Sequence, residues 1–576
     1  MTLGGYRRIL ACLCIAAAVG AQSPSRGYLD DFEFIRKAVK SRSAALARHK
    51  VDWKTICKQE RPAFAKCKDD ATHVKNVMRL LAHLRDSHTD VWRHSIKGNQ
   101  LPSKWDGLFG GGLWFGWDQG HFVLRRLMKN HALGTSLPAG SILRSIDGKP
   151  AWLTMAIERR RVTTHHGSSS EHSLFTSMSN RMLPFGDQQT LEAEFLKPDG
   201  EVKKVQIRRW GPGGKAFYPF KVQFPDGLDW KKGAVATMLK LPWSRKVGWL
   251  RITGGMDQQT AKAFHEKLDG LRDMEALILD CRSMGGGGDD SAWEMAGRFF
   301  KKAVPNGPRR QITPTGSWQF AGPVVMLQNE SEISSAETFT WAMSETKRVV
   351  SVGRPTGGWG IIPTILKCPS GILDIRLGVN DRPTPISGVR TEGIGWPPDV
   401  LIPYGPRFCE RPDPAGEVGR EILQLLHGGI ARKDVVAAFK ALFDGDSTGF
   451  KKRSAPFARR VKKWNPTRLA RLARDDLKAT LEMEIELLKV REGVPPDATT
   501  PARRLDGLLA RARKARFTKQ ASALKKAMKK IKAESAAQAA LLTLVAADSL
   551  ADPKQRTAWL RKHKKTRTAS WVKAEL

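Results

Sequence analysis

The sequence predicts an α/β fold, and three stretches carry that prediction. Residues Val324 to Gly360 read as strand, sharp turn, helix and strand. Val324–Leu327 is a short apolar, β-branched run and 328–334 is polar turn material. Ala336, Phe339, Trp341, Ala342 and Met343 then recur at roughly helical spacing before the strand-like run Val349–Val352. Val247–Thr253 alternates as a strand, and the segment after it, through Leu271, reads as a helix packed back on a sheet. Ala276–Asp280 (ALILD) is a buried-strand run that leads into the glycine-rich turn CRSMGGGGDD.

Taken in order, the chain begins with MTLGGYRRILACLCIAAAVGAQSPS, in which Arg7 and Arg8 precede the apolar run Ile9–Val19 and then small residues. That is the pattern of a secretory signal over residues 1–21, cleaved after Ala21, and it predicts a periplasmic or extracellular protein. No later stretch approaches the ~20 apolar residues of a spanning helix, so no transmembrane segment is expected in the mature chain. The 576 residues suffice for three or four domains, and 41% hydrophobic content is that of globular material. The formal net charge of +40 is extreme, with roughly half of the excess after Cys409. Cys57, Cys67, Cys281, Cys368 and Cys409 remain after the signal. An odd number in an oxidising compartment implies at least one thiol outside any intramolecular bridge, and Cys57–Cys67 and Cys368–Cys409 are candidate pairs. No CxxC spacing argues for zinc, and neither a metal nor an organic cofactor is expected.

Residues 28–100 are helical by pattern. Phe32, Phe34, Ile35 and Val39 open one amphipathic segment; Val74, Val77, Met78, Leu80, Leu81 and Leu84 form another, which ends in LLAHLRDSHTDV. Over 108–210, GGLWFGW is followed by LPAGSILRSIDGKPAW and by the strand-turn-strand pattern LEAEFLKPDGEVKKVQIRR, with Asp147-Gly148 and Asp199-Gly200 as turn signals. This region resembles a PDZ domain, with Leu113, Trp114, Phe115 and Gly116 in the place of the loop that receives a peptide carboxylate. Such domains bind extended C-terminal peptides by adding a strand, and the other reading is a degenerate copy that only spaces the core. HHGSSSEHS, from His165 to Ser173, reads as a polar loop rather than a metal site.

From residue 410 to 576 the pattern is a basic helical extension, in which KKRSAPFARRVKK, RARKARFTK and KKAMKKIKAES separate helical segments and VPPDATTP marks a break. Basic helices are either solvated faces or suit polyanions. Export makes nucleic acid the least favoured partner and points to an anionic envelope surface or polymer.

A serine at the junction before Ala336 sits near a helix N-terminus, where backbone N–H groups and the helix dipole favour an oxyanion. Ser334 and Ser335 are the candidates, and both are also ordinary N-cap residues. The stretch resembles the C-terminal-processing (tail-specific) peptidases, grouped with the tricorn core peptidases and the interphotoreceptor retinoid-binding proteins. In that family the nucleophilic serine lies three residues before an acid, here Glu337, which implies Ser334 as nucleophile and the Ser335 N–H as an oxyanion donor. GRPTGGWG is similar to the family's Gly-x-Pro-Thr-x-Gly-Lys-Gly, but Trp359 stands where tail-specific peptidases have the lysine base. Tryptophan accepts no proton, so the base must come from elsewhere.

LRDSHTDV resembles the Leu-x-Asp-Gly-His-Thr motif of the tricorn-type branch, which implies His88 as general base with Ser87 beside it. DCRSMGGG resembles Asp-x-Arg-x-Asn-x-Gly-Gly, which implies that Gly286 and Gly287 supply the other half of the oxyanion hole on a scaffold of Asp280 and Arg282. EGIGWPPD resembles Glu-Gly-x-Gly-x-x-Pro-Asp, which implies Glu392 as the orienting carboxylate. The resemblance covers about Tyr28 to Cys409 and implies a crotonase-like (ClpP-like) peptidase core over 235–409. It implies a peptidase acting on polypeptides by a Ser/His/Glu mechanism rather than a Ser/Lys dyad. The alternative on the same fold is a catalytically inactive peptide- or ligand-binding protein.

Overall fold

The structure is a computed structural model that describes residues 25–97, 100–102, 112–118, 121–127, 132–134, 136–175, 190–208, 233–305, 311–489, 501–530, 532–546, 552–566, 568 and 572. The expected signal segment and most of VPPDATTP lie outside these residues. Contacts divide the chain into two compact units. Residues 1–104, 163–167 and 361–381 make the first, and 105–162, 168–360 and 382–576 make the second. Among the described residues no helix is long and apolar enough to cross a membrane, and the five cysteines form no disulfide.

In the first unit, helices Ser25–Arg42, Trp53–Ala65 and Asp70–Ala82 pack with a three-stranded antiparallel sheet of Asp90–His94, Leu373–Asn380 and Ile362–Lys367, the second of these in the middle. Asp52 and Asp69 start two of the helices by accepting from the N–H of Thr55 and Thr72 at 3.2 and 2.8 Å. Phe32, Ile35, Phe64, Val77, Leu81, Ile375 and Leu377 fill the core. The helical pattern does not continue to residue 100. Arg85 takes φ +54°, a left-handed conformation that ends the helix, and Val91 then pairs with Ile375 as a strand.

Among its described residues the second unit holds two large sheets and a two-stranded antiparallel pair, Val304–Pro305 with Gln311–Ile312. One large sheet runs β1 (Leu113–Asp118), β2 (His121–Leu127), β3 (Ile142–Ile146), β4 (Thr190–Leu196) and β5 (Val202–Arg208), each antiparallel to its neighbour, with helix α1 (Ala151–His165) packed on it through Ala151, Met155 and Val162. The other sheet contains β6 (Gly233–Leu239), β7 (Val247–Met256), β8 (Ala276–Gly287), β9 (Val324–Gln328), β10 (Val350–Gly353) and β11 (Val400–Leu401), side by side in that order. All pairs are parallel except β6 with β7. Helix α2 (Gln258–Asp269) connects β7 to β8, α3 (Asp289–Ala296) follows β8, and α4 (Ser335–Glu345) connects β9 to β10.

Successive strand residues point to opposite faces, and here both faces are buried, which is why these strands read as unbroken apolar runs. Leu277, Leu279, Val324 and Met326 meet Phe264, Met295, Phe339 and Met343 of the crossover helices. Ile278, Val325, Leu327 and Val352 meet Val418, Ile422 and Leu425 of α5 (Pro414–His427) and Val435 and Phe439 of α6 (Arg432–Phe443). The stretch after residue 410 therefore begins as core. Further on, α7 (Ser447–Arg460) is followed by α8 (Pro466–Lys489), whose Met483 and Leu487 pack with Val123, Ile142 and Leu196 of the β1–β5 sheet; Glu484 of α8 pairs with His121 at 3.1 Å.

Candidate active site

Parallel sheets place reactive groups at the carboxyl ends of their strands, and two adjacent ends, those of β8 and β9, converge here. β8 runs out into Gly285, Gly286 and Gly287, while β9 is followed by a short turn and then α4. Ser334 is the N-cap of α4 and takes φ +58° and ψ −126°, a conformation that a side chain disfavours. Gly286 lies directly against it: a Cβ there would stand 2.7 Å from the Ser334 Cβ and 3.2 Å from its hydroxyl oxygen. A Cβ on Gly287 would meet the Met256 carbonyl oxygen at 2.2 Å, so side chains are excluded from both positions. The Ser335 hydroxyl donates to the Gly287 carbonyl at 2.8 Å and ties the helix start to the glycine turn. In the first turn of α4 the Ala336 and Glu337 N–H groups bond the Ile333 and Ser334 carbonyls at 3.2 and 2.8 Å, which leaves the Ser335 N–H as the candidate donor beside the hydroxyl. Chemically, that is a hydroxyl beside an amide donor and a dipole suited to a developing negative charge.

The serine is held from behind by Glu337, which is almost fully buried. Its Oε2 accepts from the N–H of Ser334 at 3.2 Å and of Trp359 at 2.7 Å. Its Oε1 accepts from the N–H of Gly358 at 2.9 Å and from the Thr356 hydroxyl. Burial pushes this carboxyl up to about 7, against the pull of those donors. Trp359, at the place of the missing lysine, also donates its indole N–H to the Ser173 hydroxyl at 3.2 Å. Glu392 is fully buried and accepts from the Gly360 N–H at 2.8 Å, and the Gly393 N–H bonds the Gly358 carbonyl at 2.9 Å. Glu392 thus fastens the far end of the same loop.

The sequence profile of peptidase family S41 matches residues 246–402, the segment that contains β7 to β11 and every group just described except Ser173. The chain carries an S41 peptidase domain. Carboxyl-terminal-processing peptidase 2, chloroplastic, of Arabidopsis thaliana is 28% identical over 170 residues, 28% of this chain and 32% of that protein. The carboxyl-terminal-processing protease of Synechocystis is 28% identical over 199 residues, 32% of this chain and 45% of that protein. The chain thus spans less than half the length of these relatives. The crystal structure of mature CPAF shares the fold, with 14% identity and a TM-score of 0.51 over 70% of this chain and 98% of that one.

At the base of the S41 domain, Asp280 is fully buried and accepts from Arg251 (Nε 2.8 Å, Nη2 2.7 Å) and Arg282 (Nε and Nη2, both 2.8 Å). Burial opposes its charge, but the two guanidinium groups outweigh burial and hold the carboxyl far below the ordinary range. Arg282 continues to Asp413 at 2.6 Å, and Asp413 caps α5 through the Gly416 N–H at 3.0 Å. These ion pairs fix the middle of β8, ahead of the glycine run at its end.

The structure therefore brings Ser334, Ser335, Gly286 and Gly287 together and puts Glu392 on the adjoining loop. His88 and Ser87 belong to the first unit, where both are buried. The Asp86 carboxylate accepts from the His88 N–H at 2.8 Å and from the Thr89 hydroxyl, and Thr89 in turn accepts from the Gly378 N–H at 2.9 Å. Of the peptide-loop candidates, Leu113 and Phe115 are buried in the core of the β1–β5 sheet. A Cβ on Gly116 would meet the Tyr404 ring at 2.7 Å, and Trp114 lies on β1.

HHGSSSEHS reads from the sequence only as a polar loop, but 171–175 is helical, and Ser170, His172 and Ser173 bond the 356–359 loop. So short a run of polar residues has no periodicity to betray it, and for Thr356 the signal is the Pro-Thr of GRPTGGWG. Among the described residues no group of three His, Cys, Asp or Glu is gathered for a metal ion.

Proposed function

We propose that this chain is an exported serine peptidase that hydrolyses peptide bonds in polypeptides, with Ser334 as nucleophile. The observation that carries the reading is Ser334 at positive φ on the N-terminus of α4, in contact with the Gly286 turn from the neighbouring strand. The S41 profile and the carboxyl-terminal-processing relatives support it. His88 takes the proton from the Ser334 hydroxyl, Ser334 attacks the scissile carbonyl, and the amides of Ser335 and of Gly286 or Gly287 hold the oxyanion. The proton on His88 is then delivered to the leaving amine, and water repeats the cycle on the acyl-enzyme. Glu392 stabilises the charged base, and the β1–β5 region acts as the PDZ-like element that receives the substrate's extended end. No step requires lysine.

A fluorophosphonate probe separates this reading from that of a binding protein on the same fold. The wild type is expected to be labelled at Ser334, and His88→Ala to lower kcat on a peptide by at least ~10² at neutral pH. Trp359→Lys is expected to give no gain, since the base is already supplied. An unlabelled wild type favours the binding protein, and unchanged kcat in His88→Ala removes histidine from the mechanism.

A further inference from the structure

We infer that Trp359 is a positioning residue for the nucleophile, braced from outside the S41 domain by the segment Ser170–Ser173. The inference rests on reading Ser334 as the nucleophile. One carboxylate oxygen of Glu337 accepts both the Ser334 N–H and the Trp359 N–H, so the backbone of the serine and that of the tryptophan are locked to a single buried atom. The other oxygen takes Gly358 and Thr356, which makes 356–359 the inner wall of the clamp.

The outer wall comes from a distant part of the chain. Ser170 donates to the Gly357 carbonyl at 2.6 Å, and the His172 Nε2 bonds the Thr356 carbonyl at 2.7 Å. Ser173 accepts the Trp359 indole N–H through its hydroxyl and donates its own N–H to Ser170 Oγ at 3.2 Å. Ser170 and Ser173 are themselves buried. Each residue of 356–359 is therefore bonded either to Glu337, to the 170–173 segment or to both.

The backbone of Ser334 is what needs holding. A residue at φ +58° relaxes unless its surroundings over-determine it. Its N–H is fixed by Glu337, and Glu337 is oriented by the Trp359 loop. An indole N–H is a donor only and sits on a rigid ring, so it fixes the loop against a hydroxyl acceptor more firmly than a flexible ammonium chain does. The position that carries the base in resembling chains thus serves here through geometry, and the proton chemistry is left to another residue.

The test is a double-mutant cycle on the full-length protein with Trp359→Phe, Ser173→Ala and both together, read by steady-state peptide hydrolysis, fluorophosphonate labelling rate and thermal unfolding. Trp359→Phe keeps an aromatic ring but loses the pyrrole part of the indole together with its N–H, so Ser173→Ala, which removes only the acceptor hydroxyl, isolates the hydrogen bond. Each single change is expected to lower kcat ~10-fold with KM within about twofold, since neither group touches substrate. The double variant is expected to fall no further than the weaker single, and Ser173→Thr, which keeps the hydroxyl, to stay near wild type. Independent, multiplying losses of ~100-fold, or a Trp359→Phe enzyme with unchanged kcat and labelling rate, would overturn the brace. Labelled wild type with unaffected variants sinks the brace alone. A wild type that is not labelled, and is indistinguishable from Ser334→Ala, removes the nucleophile and the brace together.

Discussion

Ser334→Ala is expected to abolish peptide hydrolysis, with kcat down by on the order of 10⁴ or more, while the protein remains folded. The change removes one hydroxyl at the surface of a turn and leaves the Ser334 N–H on Glu337 untouched. Alanine inherits the φ of +58°, so the strain remains. Ser334→Gly is expected to be equally inactive but up to ~1 kcal/mol more stable than Ser334→Ala, because glycine adopts that conformation without a Cβ clash. Urea unfolding of the two inactive variants checks the difference. Ser335→Ala loses the bond to the Gly287 carbonyl but keeps its amide, and most of its activity is expected to survive. If Ser335→Ala were the dead enzyme and Ser334→Ala the active one, the nucleophile would be the neighbouring residue.

Asp280→Asn is expected to cost about 3–5 kcal/mol, because it leaves Arg251 facing a neutral amide in a buried site, while Arg282 keeps Asp413. Arg251 is 1% exposed and cannot turn to water for compensation. The pH dependence has a definite sign. The Asp280 carboxyl is depressed in the fold, so its contribution is fully present above the ordinary unfolded value of ~3.9 and is lost as pH falls below it. Glu337 acts in the opposite direction. Raised to about 7, it binds its proton more readily in the folded chain, so through the interval from the ordinary carboxylate value up to about 7 it makes stability fall as pH rises. Wild type is therefore expected to lose stability steeply below about pH 4, and Asp280→Asn to show a much shallower acid limb. Equal midpoints for the two proteins in urea at pH 7 would show that the ion pairs contribute nothing.

Much of this was legible in the sequence wherever one physical rule acts locally. Strands buried on both faces give continuous apolar runs, so Ala276–Asp280 and Val324–Leu327 stand out unaided. The turn at Ser334 shows because a strand pattern gives way to helical spacing within a few residues. What did not show are the bonds between distant loops. Arg282 and Asp413 are 131 residues apart, and Ser173 and Trp359 are 186 apart, with nothing in either neighbourhood to suggest the other. The helices after residue 410 misled for a different reason. Their Lys and Arg dominate the composition, yet Val418, Ile422 and Leu425 form one apolar stripe that lies on the sheet.

That stripe has a consequence for the order of events at the ribosome. The last strand of the sheet ends at Leu401, whereas α6, which closes its second apolar face, ends at Phe443. At ~5–20 residues per second, several seconds of synthesis separate a chain that holds every proposed catalytic group from one that can bury the sheet beneath them. Until then Val325 and Leu327 face solvent, and the turn that bends Ser334 into its unfavourable conformation has no rigid floor to hold it. A chain that has not yet received α6 is therefore unarmed even though every proposed catalytic group is already in it.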